Sequence, residues 1–147
     1  LMPYLSGAVF VDLFSGSGGI GMEALSRGAR KAYFVENNQK AIACITDNIE
    51  HTHFTDKSVV LKQDVFSALR GNIKDTADII FLDPPYQQEY DKKVLEILRD
   101  APYVNEDTLI VVEASRDTLF DYVEALGFFV EKEKQYKTNK HIFIRKL

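Results

Sequence analysis

Apolar runs and amphipathic stretches alternate along the chain. Residues 8–14, Ala-Val-Phe-Val-Asp-Leu-Phe, are almost continuously apolar and stop at a Ser/Gly-rich turn, the pattern of a strand buried on both faces. Residues 20–27 carry the helix formers Met22, Glu23, Ala24 and Leu25, with Gly28 as a stop. Residues 32–35 read as a second strand closing on Glu36. Ala41, Ile42, Ile45 and Ile49 recur at helical spacing and predict a helix over 38–50. Cys44, on the flank of that stripe, is expected in the core. A third strand is predicted over 58–62, a short helix over 67–70, and a fourth strand over 77–82 with Asp83 at its end. Tyr90, Val94, Leu95 and Leu98 mark the next helix, and 108–113 the fifth strand. Residues 118–126 read as a helix ended by Gly127. Two extended runs, 128–136 and 141–145, follow around Lys137-Thr138-Asn139-Lys140.

Five strand–helix units followed by two turn-linked strands imply an α/β fold: a seven-stranded, mostly parallel sheet covered by helices on both faces and ending in an antiparallel hairpin. No repeat or linker interrupts the pattern, and 147 residues suit a single domain spanning 1–147. No apolar stretch approaches the length needed to cross a bilayer, so no membrane association is expected. The single cysteine excludes an internal disulfide framework and points to a reducing, cytoplasmic compartment. His51, His53 and His141 lack metal-ligand spacing with Cys44 or one another, so no metal is expected. With 18 Lys+Arg against 22 Asp+Glu, the net charge of -4 does not advertise nucleic-acid binding, which needs clustered cations. Nothing in the sequence fixes an oligomeric state.

Candidate chemistry begins at the turn Asp12-Leu13-Phe14-Ser15-Gly16-Ser17-Gly18-Gly19-Ile20-Gly21. Glycines there let the chain turn sharply and let a ligand approach the main chain. Gly16, Gly18 and Gly21 spell G-x-G-x-x-G, and Glu36 follows Gly16 by twenty positions, which is also the fingerprint of nicotinamide and flavin enzymes. Glu36 suits the ribose of either a methyl donor or a dinucleotide. Asp12 favours the former: its carboxylate could hold a cationic amino-acid moiety, directly or through water, and would repel an anionic pyrophosphate. The plainer role for Asp12 is capping the turn.

Asp83-Pro84-Pro85-Tyr86 stands at the end of the fourth strand, where open α/β sheets place their sites. Two prolines extend the backbone and remove two N–H donors, leaving the Asp83 carboxylate and the Pro84 carbonyl as acceptors. Such acceptors beside the Tyr86 ring suit a planar group carrying –NH2, with Pro85 and Tyr86 against the ring. An exocyclic amine is a poor nucleophile, because its lone pair is delocalised. Holding its hydrogens out of plane favours attack on an in-line methyl group, and Asp83 could take the proton released.

Three stretches together, residues 12–29 (DLFSGSGGIGMEALSRGA), Phe34-Val35-Glu36 and Phe81-Leu82-Asp83-Pro84-Pro85-Tyr86, resemble the RsmD-type ribosomal RNA methyltransferases of bacteria. The likeness covers essentially the whole chain. It implies a Rossmann-like class I methyltransferase fold that transfers a methyl group from S-adenosyl-L-methionine to guanine N2 in 16S ribosomal RNA, free or in the assembling small subunit. Carried onto this chain, it implies that Gly16, Ser17 and Gly18 wrap the donor's amino-acid end. Glu36 would hold the ribose, and Asp64 with Val65 the adenine. Phe14 and Asn37 belong to the same expected cofactor set, and Asp83 to Tyr86 would hold the target base. The Asp-Pro-Pro-Tyr tetrapeptide is shared with DNA adenine-N6 enzymes and its Asn version with protein glutamine-N5 enzymes. These remain the alternatives, ahead of an NAD-dependent oxidoreductase. The family's basic N-terminal segment is expected to be missing from this sequence.

Weaker features complete the reading. Asp64 suits either adenine contact or a helix N-cap. Glu113, ending the fifth strand, either orients the substrate base or caps a loop. Lys132, Lys134, Lys137, Lys140, Arg145 and Lys146 crowd the final hairpin, as an exposed face or an RNA-facing strip.

Overall fold

A computed structural model describes residues 5–83 and 88–147. Seven strands form one sheet: β1 (Val9–Leu13), β2 (Lys31–Val35), β3 (Ser58–Leu61), β4 (Ile79–Leu82), β5 (Leu109–Ala114), β6 (Phe128–Gln135) and β7 (Lys140–Lys146). Their spatial order is β3-β2-β1-β4-β5-β7-β6. The first five run parallel, and β7 runs antiparallel to both β5 and β6. The hairpin therefore folds back, and its second strand, not its first, joins the parallel part of the sheet. This is the Rossmann-like, mostly parallel sheet with a terminal antiparallel hairpin that the sequence pattern implies.

The helices are α1 (Gly19–Ser26), α2 (Gln39–His51), α3 (Val65–Gly71) and α4 (Gln88–Arg99). One face of the sheet gathers Val11, Leu13, Tyr33, Ile80 and Val112 with Leu69 of α3 and Val94, Leu95 and Leu98 of α4. The other gathers Phe10, Phe34, Phe81 and Val111 with Ala24 and Leu25 of α1 and Ile45 and Ile49 of α2. Strands β1 and β4, buried along their whole length, are for this reason apolar on both sides except at Asp12. Helix α1 lies unusually close to β2: a Cβ at Gly21 would run into the buried Phe34 ring. A side chain there would force the helix off the sheet.

Most boundaries fall within a residue or two of those predicted. Three readings are corrected. Residues 118–126 form no α-helix; a turn leads into a single 3-10 turn, Glu124–Leu126. Ser115 Oγ bonds Asp117 Oδ1 at 2.8 Å and Thr118 Oγ1 at 2.6 Å, and these local bonds compete with helix initiation. Phe120, Tyr122 and Val123 add poor helix propensity, and Phe120 and Val123 are drawn into the core. Helix α3 begins two residues early, because Asp64 caps it through Ser67 N–H at 3.0 Å. Cys44 is exposed, not in the core. The buried line of α2 runs through Ile45 and Ile49, and a neighbour one residue away is rotated by about 100°. Among the described residues, no helix is long and apolar enough to cross a membrane.

Candidate functional site

The registers of adjacent strands bring Leu61, Val35, Leu13, Leu82, Val112 and Ile142 into one line across the sheet. One position further toward the C-terminal rim stand Lys62, Glu36, Phe14, Asp83, Glu113 and His141. Residues in register on neighbouring strands lie about 5 Å apart. Three of the acidic residues singled out in the sequence thus occupy a single row.

The turn after β1 is held from below and from the side. The Ser15 hydroxyl donates to the Asp12 carbonyl at 2.6 Å, and Gly18 N–H to the Ser15 carbonyl at 2.8 Å. Phe14 takes a positive φ of 58°, a conformation uncommon outside glycine, which tips its ring into the cavity described below. Gly16 N–H donates to Glu36 Oε1 at 2.8 Å, and Asn38 N–H to Oε2 at 3.1 Å. Glu36 therefore bridges the glycine turn and the start of α2, where the Asn38 side chain caps Ala41 N–H. Asn48 reaches back from α2 to the Ser17 carbonyl at 3.1 Å.

Above this frame lies a cavity of about 330 Å³, within the range of small-molecule sites. Phe14, Gly16, Glu36, Asn37, Asp64, Val65 and Asp83 all line it. Ser17 and Gly18 belong to the same turn without lining the cavity. Sequence reasoning missed its aromatic wall. Tyr90 stacks on Phe66 with centroids 5.8 Å apart and meets Phe14 edge-on at 5.7 Å. Tyr90 was legible only as part of a helical stripe, and its position at the start of α4 was the signal that it could face a ligand.

Burial, with smaller contributions from like charge, raises the pKa of three carboxylates here and so makes them weaker acids. Asp12 is 2% exposed, and its carboxylate accepts Gly21 N–H at 3.1 Å. Burial pushes it up to about 8 against the lowering of that bond and of Ser15, with smaller contributions from Asp83 and Glu36. Asp83 is raised by partial desolvation first and by neighbouring Glu113 second, with His141 acting the other way. Asp91, in the first turn of α4, is 2% exposed and is pushed up to about 7 by burial and then by Asp83. Its Oδ1 has no hydrogen-bond partner. Asp64 is lowered by its bonds from Ser67.

Glu113 accepts from His141 Nε2 at 3.1 Å and Asn139 Nδ2 at 3.2 Å. The sequence reading weighed His141 only as a metal ligand and missed this pairing, which follows from β7 lying antiparallel to β5 with His141 opposite Glu113. The expected contributions of Pro84, Pro85 and Tyr86 lie outside the described residues. In the terminal hairpin, Arg145 pairs with Glu131 at 2.6 Å and Lys140 with Glu133 at 3.6 Å. Lys132 and Lys134 rest over the rings of Phe143 and Tyr136. Among the described residues, no cluster of His, Cys, Asp and Glu could hold a metal ion.

The family model described as Conserved hypothetical protein 95 matches residues 1–145. The chain belongs to the RsmD-type family. Among its relatives it is 36% identical over 135 residues to YlbH of Bacillus subtilis, which covers 90% of this chain and 72% of that protein. It is 29% identical over 119 residues to the ribosomal RNA small subunit methyltransferase D of Haemophilus influenzae. That match takes in 80% of this chain, which spans only 62% of the length of that RsmD protein. A conserved hypothetical protein of Streptococcus pyogenes has the same fold, with a TM-score of 0.85 at 33% identity, covering 99% of this chain and 89% of that one.

Proposed function

We propose that this RsmD-type chain is an N-methyltransferase that uses S-adenosyl-L-methionine to methylate guanine N2 in small-subunit ribosomal RNA. The observation that carries this reading is the shared cavity: Asp83, the expected acceptor-side carboxylate, lines the same space as Gly16, Glu36 and Asp64. The residue types fit the donor. Glu36, already fixed by two backbone N–H groups, has lone pairs left for ribose hydroxyls. Val65, Asn37, Phe66 and Tyr90 offer apolar and amide surface for a purine. The turn from Gly16 to Gly18 would wrap the amino-acid end, above the buried Asp12. Bound there, the donor supplies an electrophilic methyl group on a sulfonium.

The remaining work falls to the chain. Asp83 accepts a hydrogen of the target amine and so orients the nitrogen lone pair toward the methyl group. As the N–C bond forms and the S–C bond breaks, the nitrogen must shed one proton. The raised affinity of Asp83 for protons fits it to receive this one. An acidic rim of Glu36, Asp83 and Glu113 also favours a cationic donor over an anionic dinucleotide.

The test supplies the protein with radiolabelled donor and either small-subunit ribosomal RNA, assembling small subunits, DNA or a protein mixture, followed by digestion to nucleosides or amino acids. N2-methylguanosine from the RNA or the subunits is expected. Label in N6-methyladenine of DNA or in glutamine would overturn the assignment.

A further inference from the structure

Glu113 contributes only its charge to the chemistry above, although it is the next residue along the rim from Asp83. Leu82 and Val112 are register partners on parallel strands, so Asp83, just past the end of β4, stands beside Glu113 of β5. Both oxygens of Glu113 are tethered from the β7 side, Oε1 by His141 Nε2 and Oε2 by Asn139 Nδ2. Each tether occupies one lone pair. The Glu113 side chain keeps 29% exposure, so its carboxylate can accept further hydrogen bonds. His141 is itself wedged, edge-on to Phe81 at 5.8 Å and to Tyr136 at 4.9 Å. The carboxylate is thus aimed rather than free to swing.

Two acceptors side by side ask for a ligand edge made of donors. On the pairing edge of guanine, the N2 amine adjoins a protonated N1, a run of donors. On adenine, the N6 amine adjoins an unprotonated N1 whose lone pair would face a carboxylate. With Asp83 engaged by the amine, the next group along the edge lies toward Glu113. We infer that Glu113, set in place by His141 and Asn139, accepts the N1–H of guanine and so selects guanine over adenine at this site. The inference rests on the guanine reading proposed above and adds the residue that enforces it. A site built to hydrogen-bond one polar group rejects analogues lacking it by large factors, because its own buried group is left unpaired.

The experiment uses small-subunit RNA fragments carrying guanosine or 2-aminopurine riboside at the mapped target. 2-Aminopurine keeps the 2-amino group but has an unprotonated N1. The unaltered protein is expected to favour guanosine by about 100-fold or more in kcat/KM. In Glu113→Gln the amide N–H can donate to an unprotonated N1, and the preference should shrink by at least about tenfold. Asn139→Ala, which removes one tether and leaves the carboxylate, should shrink it by a smaller factor and guards against a folding defect in the first variant. An equal rate on both RNAs with the unaltered protein, or a preference unchanged in both variants, overturns the inference. No methylation of the guanosine RNA by the unaltered protein instead overturns the underlying guanine assignment.

Discussion

Carboxylates dominate the rim residue by residue, and their neighbours decide what each can do. Asp83 gains proton affinity from desolvation and from Glu113, whereas Asp64 loses it to the Ser67 bonds. The first is suited to receive a proton and the second to remain charged at a helix start. Asp83→Asn keeps the shape and removes the ability to take a proton. Methyl transfer should fall by about 100-fold or more, while calorimetric affinity for S-adenosyl-L-methionine should change by less than about threefold. Parallel losses in binding and turnover would place Asp83 in the donor pocket instead of the chemistry. Gly21 is a purely steric counterpart. Gly21→Ala drives a methyl group into Phe34, which is wholly buried, and should cost about 1–3 kcal/mol in urea unfolding. A cost near zero would mean that α1 can slide away from β2 freely.

Among elements, the α-helices were found wherever an apolar stripe ran on, and a segment held by local side-chain bonds was misread. Asn38 and Asp64 both precede an apolar stripe and both accept a backbone N–H three residues on. Asp64→Ala should lower stability by about 1 kcal/mol through α3 alone. Because its folded pKa is lowered, that contribution is present above the ordinary value of 3.8 and fades as the solution is acidified below it, through the lowered folded value. Comparing urea midpoints of the two proteins at neutral pH and at about pH 3 checks both statements. The segment at 118–126 shows the limit of periodicity. Phe120 and Val123 have helical spacing, yet three residues also make one turn of a 3-10 helix, and the hydroxyl network at Ser115 tips the choice. Most of the cavity's lining was legible, because those residues lie in one glycine turn and just past the ends of β2, β3 and β4. The pairing of Glu113 with His141 was not, because it depends on how β7 is threaded, which hydrophobic pattern leaves open.

For the whole molecule, two buried acids set how stability varies with pH. Asp12 and Asp91 have ordinary values of 3.8 and hold their protons up to about 8 and about 7 in the folded protein. Between these limits the two acids hold more protons in the folded chain than in the unfolded one, so their contribution to stability falls as pH rises. The urea midpoint should be higher at about pH 5 than at about pH 8.5, and Asp91→Asn should narrow the difference. A midpoint that climbs across this interval would show that other groups outweigh both acids. The threading of the sheet adds a hierarchy. β6 is the outermost strand, and its ladder partner is β7, which alone connects it to β5. β6 can peel away with β7 still docked, whereas β7 leaves β5 only by carrying β6 with it or by breaking both of its ladders. Deuterium entering the β6–β7 amides before the β5–β7 ones would mark the smaller opening, through which Glu113 keeps its His141 anchor, and the reverse order would show the hairpin undocking as a unit.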